Sequence, residues 1–230
     1  MHASNSPASN PGACHLLLFL RYPQVGQTKT RLIPALGAAG AADLQRRMAE
    51  YLVRRLRHPN WTLQIHYSNA SLSEMQALLG HDLTYCRQKG MDLGDRIWHG
   101  FQQTFTKARR SSTRTRAIAI GADCPDLSYQ HIQNAFNKLR EKDVVLGPAS
   151  DGGYYLIGLK QSPSSFYESA VIRNLFQGID WSTPYVFEQT MQKIQRLALT
   201  SAQLEMLSDI DRPEDLAIWE RLQAVAQQVC

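Results

Sequence analysis

The 230-residue sequence has no long hydrophobic run, no paired cysteines and no histidine motif, and each absence removes a class of protein. The longest apolar stretch, Cys14 to Leu20, falls far short of the roughly 20 residues that cross a bilayer. No Lys or Arg precedes it, Arg21 follows it and no small-residue cleavage site appears, so it does not read as a signal peptide either. Cys14, Cys86, Cys124 and Cys230 lie far apart, which argues against a zinc cluster or a disulfide framework and makes a reducing cytoplasm the expected location. The seven histidines form neither HExxH nor HxH, so any metal is expected on carboxylates. A P-loop is missing too, because Lys29 follows Thr28 and the required glycine pair is absent. No internal repeat or interdomain linker is visible.

What remains is the composition of a folded soluble protein, 43% hydrophobic and 20% charged. Residues 1–13 (MHASNSPASNPGA) carry no apolar face and read as a disordered tail, leaving 14–230 as one domain. The net charge of +5 is concentrated in part in the run from Lys107 to Arg116. Without interleaved aromatics, that run reads as a solvated loop and not as a nucleic-acid surface. Nothing in the composition opposes a homodimer.

Strand-length apolar runs alternate with amphipathic stretches, the pattern of βα units around a largely parallel sheet and so of a three-layer α/β/α sandwich. Strands are predicted at 14–20, 61–67, 82–88, 115–121, 143–148, 154–159 and 204–208. The short link between 143–148 and 154–159 permits antiparallel pairing, which makes the sheet mixed. Helices are predicted over 37–57, where Leu44, Met48, Leu52 and Leu56 recur every four residues, and over 93–107, 128–141, 183–197 and from Pro213. A short helix after Ser71, capped with Glu74, completes the set, and 161–182 reads as irregular.

Ligands on open α/β sheets bind beyond the carboxyl ends of the strands, which directs attention to four segments. RYPQVGQTKTRL (21–32) offers Arg21, Gly26, Lys29 and Arg31: glycine lets backbone approach a phosphate and the cations neutralise it, although a basic surface loop has the same composition. GADCPDL (121–127) sets Asp123 at a strand tip, where a carboxylate can hold Mg²⁺ or Mn²⁺ against a diphosphate, while Asp126 and Ser128 read as helix caps. GPASDGGYYLIGL (147–159) joins Asp151 to Gly152 and Gly153, either a ligand-facing turn or simply a tight strand connection. SDIDRPEDL (208–216) offers Asp209 and Asp211, with Asp211 and Glu214 also readable as a capping box.

In this order and spacing, KTRL, GADCPDL, DGGYYLIGL and DIDRPEDL resemble the small GT-A glycosyltransferases of the nucleotide-diphospho-sugar transferase superfamily. The resemblance is nearest to bacterial transferases associated with radical-SAM proteins and arsenosugar biosynthesis, and it runs from about Leu16 to Leu216. It implies a Rossmann-like GT-A fold and Mg²⁺ or Mn²⁺ on Asp123 and Asp211. It also implies a diphosphate loop containing Lys29 and Arg31, and base or ribose contacts from Gln88 and Gly94 of QKGMDLGDR. Cys124 and Pro125 stand where many such enzymes complete an Asp-x-Asp signature. The expected reaction is transfer of a sugar from a nucleotide-diphosphate donor to a small-molecule acceptor. Asp151 is the candidate base, and Gly152, Gly153, Tyr154, Trp181 and Thr183 shape the acceptor side. The alternatives are a nucleotidyltransferase, which joins an NTP to a phosphorylated small molecule and releases pyrophosphate, and a noncatalytic nucleotide sensor.

Overall fold

Leu16, Leu17 and Leu18 are all completely excluded from solvent, so the first strand must be covered on both faces. Each such side chain stabilises the fold by about 2 kcal/mol relative to exposure. A computed structural model describes residues 14–108, 115–161 and 165–228, without the side chains of 165–169 and 225–228. The tail at 1–13, Cys230 and most of the basic run at 107–116 lie outside the described residues.

Seven strands form one sheet: β1 (Cys14–Arg21), β2 (Thr62–Ser68), β3 (Thr84–Arg87), β4 (Arg116–Gly121), β5 (Val144–Pro148), β6 (Tyr154–Lys160) and β7 (Ser201–Gln203). Their order is β3-β2-β1-β4-β6-β5-β7, with β6 antiparallel to both neighbours and every other pairing parallel. The mixed, mostly parallel sheet expected above is therefore the sheet of the molecule. The helices are α1 (Ile33–Leu56), α2 (Leu72–Leu79), α3 (Leu93–Ala108), α4 (Tyr129–Lys138), α5 (Ser165–Phe176), α6 (Val186–Arg196) and α7 (Leu216–Gln228).

Alternation along β1 divides the core. Leu16, Leu18 and Leu20 point to a layer formed with Leu52 and Leu56 of α1, Met75 of α2 and Ile132 and Phe136 of α4. Leu17 and Phe19 point to the opposite layer, with Phe101 and Phe105 of α3, Leu175 and Phe176 of α5 and Ile194 of α6. A smaller cluster, in which Leu32, Leu44 and Met48 meet Ile210 and Trp219, holds α7 against α1.

Three local expectations need correction. The segment 161–182 contains α5, because Ile172, Leu175 and Phe176 recur at helical spacing and are buried against α3. The last strand lies at 201–203, not 204–208, and beyond it only Leu207 bridges to Ala149. Helix α1 begins at Ile33, four residues before the predicted start, with Pro34 in its first turn. Its interruption falls at Gly37, whose φ of 73° a side chain would oppose. The Ser71 cap with Glu74 forms as read.

His66 is buried on β2, stacked on Phe19 at 4.8 Å, and burial pushes its pKa down from 6.5 to about 4. Between these values the unfolded chain binds a proton that the folded chain refuses. Stability is therefore lost as pH falls from about 6.5 towards 4. Urea unfolding at pH 7.5 and 4.5 should show this group costing the wild type about 2.5 kcal/mol at the lower pH. A His66→Gln variant should lack that part of the loss; an equal loss in the variant refutes the assignment.

Candidate functional site

The loop after β1 is folded around two buried anchors. Thr28 Oγ1 accepts the Gln24 N–H at 2.9 Å, and Leu32 is fully buried at the far end. Between them Lys29 takes a left-handed conformation (φ 49°, ψ 46°), which costs a side-chain-bearing residue about 1–2 kcal/mol. That conformation turns the lysine inward: its side chain is only 6% exposed, and Nζ lies 2.5 Å from Asp123 Oδ1 while donating to the Ile210 carbonyl. The adjacent Arg31 pairs with Asp211. Cations from one loop thus meet carboxylates from two remote segments.

These residues line a cleft of about 370 Å³ at the carboxyl ends of β1 and β4, together with Arg21, Gln27, Thr30 and Gln45. The position is the switch point of the sheet, since β1 is flanked by β2 on one side and β4 on the other. The Ile210 N–H donates to the Asp123 carbonyl at 2.9 Å, which fixes the 209–211 segment beside the tip of β4. Arg21, which also lines the cleft, has no ion pair among the described residues.

Asp209, which the sequence offers without distinguishing it from its neighbours, stands close to the carboxylates of Asp151 and Asp123. Burial raises its pKa, and the carboxylates of Asp151 and Asp123 raise it further. The Ser150 N–H donates to the Leu207 carbonyl at 3.0 Å, which brings the Asp151 turn to the same edge. Burial and then Asp123 hold the Cys124 thiol well above the ordinary range, so it stays protonated and is not a nucleophile at neutral pH.

The remaining candidate residues have structural duties. Gln88 Nε2 donates to the carbonyls of Leu20 (3.2 Å) and His66 (2.7 Å), satisfying backbone at the ends of β1 and β2. Gly94 lies under Trp181, whose ring would be 2.6 Å from an added Cβ. Trp181 in turn meets the Tyr154 ring edge-on at 6.3 Å, and burial pushes the Tyr154 hydroxyl far up. Thr183 Oγ1 donates to the Asp180 carbonyl at 2.7 Å. The Gly153 N–H donates to Asp151 Oδ1 at 2.8 Å, and the Gly152 carbonyl accepts the Phe187 N–H at 2.9 Å. Gly26 has open space where a Cβ would stand.

The capping residues are sorted differently from expectation. Asp126 pairs with Arg221 of α7 at 2.7 Å, while Ser128 caps α4 with His131. Before α7 the cap acceptor is Asp215, which takes the N–H groups of Asp211 (3.0 Å) and Arg212 (2.7 Å). Glu214 is not the capping partner, and Asp211 is left to face Arg31 across the cleft.

No group of three or more His, Cys, Asp or Glu among the described residues is arranged as a ready metal site. The donor set still suits Mg²⁺ or Mn²⁺, because hard cations at diphosphate sites commonly take one or two carboxylates and complete their shell from phosphate and water. Asp123 and Asp211 supply such a pair within one cleft.

A mixed α/β sheet with a polar cleft at its switch point is the architecture of the nucleotide-diphospho-sugar transferases. A protein assigned to that group from Desulfovibrio desulfuricans G20 is similar over 87% of this chain and 83% of its own, at 32% identity and a TM-score of 0.77. The chain belongs to a family of uncharacterised proteins conserved in bacteria (DUF2064), whose model matches residues 51–183, more than half of its length. CMP:2-keto-3-deoxy-manno-octonic acid synthetase, solved with CTP, shares the fold at 10% identity and a TM-score of 0.55, over 94% of this chain and 99% of its own. So does 4-diphosphocytidyl-2C-methyl-D-erythritol synthase from Anaerococcus prevotii, at 9% and 0.54, over 90% and 95%. No protein of curated function matches in sequence. None of the described helices is long and apolar enough to cross a membrane.

Proposed function

We propose that this chain is a glycosyltransferase that moves a sugar from a nucleotide-diphosphate donor to a small-molecule acceptor, assisted by Mg²⁺ or Mn²⁺. The observation that carries this reading is the meeting of Lys29 and Arg31 with Asp123 and Asp211 in one diphosphate-sized cleft at the sheet's switch point. The 32% identity to a protein assigned as a nucleotide-diphospho-sugar transferase supports it.

Arg21, Lys29 and Arg31 bind the diphosphate and stabilise the negative charge that grows on it as the glycosidic bond breaks. Asp123 and Asp211 would hold a divalent ion, which would supply further Lewis-acid stabilisation of the leaving group. The Ser150–Leu207 hydrogen bond ties the Asp151 turn to the 207–209 edge, and we assign Asp151 to the acceptor, where it would take the proton of the attacking hydroxyl. Trp181 packs edge-on against Tyr154, which follows that turn, and with Thr183 is assigned to the acceptor side.

Thermal unfolding with nucleotides and NDP-sugars, with and without Mn²⁺, tests the reading. A donor at about 100 times its Kd should add about 2.7 kcal/mol, raising the midpoint by about 5–10 °C. Free NDP released with an acceptor supports glycosyl transfer, whereas pyrophosphate released from an NTP identifies a nucleotidyltransferase. Binding without turnover across a broad acceptor panel identifies a sensor, and no shift with any nucleotide removes the reading altogether.

A further inference from the structure

Both carboxylates offered to the metal and two of the three cations offered to the diphosphate are engaged with one another in the cleft. The ammonium of Lys29 sits on Asp123, one of the two carboxylates offered to the metal, and Arg31 sits on Asp211, the other. Seen from the other side, two of the three cations offered to the diphosphate are held by carboxylates.

We propose that Lys29 and Arg31 are internal counter-cations, which release Asp123 and Asp211 and pass to the diphosphate only when metal and diphosphate arrive together. This inference rests on the donor-site reading above. Its basis is charge. A divalent cation entering alone meets two cations already on its ligands, with Arg21 lining the same cleft. A diphosphate entering alone must draw Lys29 and Arg31 away from two carboxylates, leaving both exposed to it. Entering together, metal and diphosphate largely offset each other's charge while each ion pair is exchanged for another. Lys29 enforces the exchange more strongly than Arg31, since its side chain is 6% exposed against 66% and has little water to turn to.

The exchange makes two results run against simple site logic. Removing a cation should improve metal binding, and removing a metal ligand should improve metal-free nucleotide binding. Metal-stripped full chain is titrated with Mn²⁺ alone, read by loss of the free-ion electron paramagnetic resonance signal. Arg31→Met and Lys29→Met should each bind Mn²⁺ about tenfold more tightly than wild type. Arg31 is exposed, so its variant keeps the test valid should Lys29→Met fail to fold. In EDTA, titration calorimetry with UDP, CDP, GDP and ADP should show Asp211→Asn binding the preferred diphosphate about fivefold more tightly than wild type. In wild type, after correction for Mn²⁺–nucleotide association in solution, each ligand should tighten the other by the same factor, about tenfold or more. If wild type binds one of the four diphosphates with Mn²⁺ but both cation variants keep wild-type or weaker Mn²⁺ affinity, the exchange is overturned and the donor site stands. If wild type binds none of the four with Mn²⁺, donor site and exchange fall together.

Discussion

Asp123→Asn should reduce donor turnover by about a thousandfold while leaving the protein folded. Its side chain is 52% exposed and no apolar contact depends on its charge, so the sheet should be indifferent to the change. In the proposed reaction the loss is chemical: the carboxylate pairs with Lys29 and would provide one of two oxygen ligands for a divalent ion, and both contributions would act on a leaving group that gains charge in the transition state. Asparagine is preferable to alanine because it keeps an oxygen beside the Lys29 ammonium, which would otherwise be buried against the Ile210 carbonyl alone. Steady-state kinetics beside a circular dichroism melt decides the matter. Retained turnover at the wild-type melting temperature would remove Asp123 from the mechanism.

The second large effect is one of stability. Gly152 has a φ of 87°, and a Cβ there would stand 2.2 Å from the carbonyl oxygen of Pro184, with the rest of that backbone within 2.7 Å. Neither the turn nor the 183–187 segment can retreat easily, because the Gly152 carbonyl accepts the Phe187 N–H and Val186 beneath is buried. Left-handed backbone and overpacking each cost about 1–3 kcal/mol, so Gly152→Ala should lose about 4 kcal/mol in urea unfolding. A loss below about 1 kcal/mol would mean that the segment moves aside and that the turn is not held by this contact. The same substitution should weaken catalysis beyond its effect on folding, since Asp151 is carried by the turn.

Sheet and site differ in how far the residues announced them. Strands β1, β4, β5 and β6 are continuous apolar runs bounded by polar residues, and burial on both faces makes such runs plain. Helix α5 is harder to see because QSPS precedes it and its apolar stripe, Ile172, Leu175 and Phe176, spans little more than one turn. Strand β7 has only three residues and takes its identity from β5, not from its own composition. In the cleft, residue type and position after a strand pointed to Arg21, Lys29, Arg31 and Asp123, whereas the family resemblance pointed to Asp211. The inward turn of Lys29 had no signal, because left-handed backbone at a lysine is not a propensity. Asp209 had none either, since its raised pKa comes from burial and from carboxylates more than fifty residues away in sequence. The exchange of capping partner from Glu214 to Asp215 is one residue's difference, settled by the 3-10 turn at Pro213–Asp215.

Ile210 is fully buried between α1 and α7 and is flanked by two acids whose placement follows from its own. Trimming the chain before Trp219 would strip that hydrophobic anchorage from a distance, letting Asp209 and Asp211 drift although the strands beneath stay paired. Premature stops before Trp219 should therefore yield folded but silent protein, its defect lying some way from the lesion.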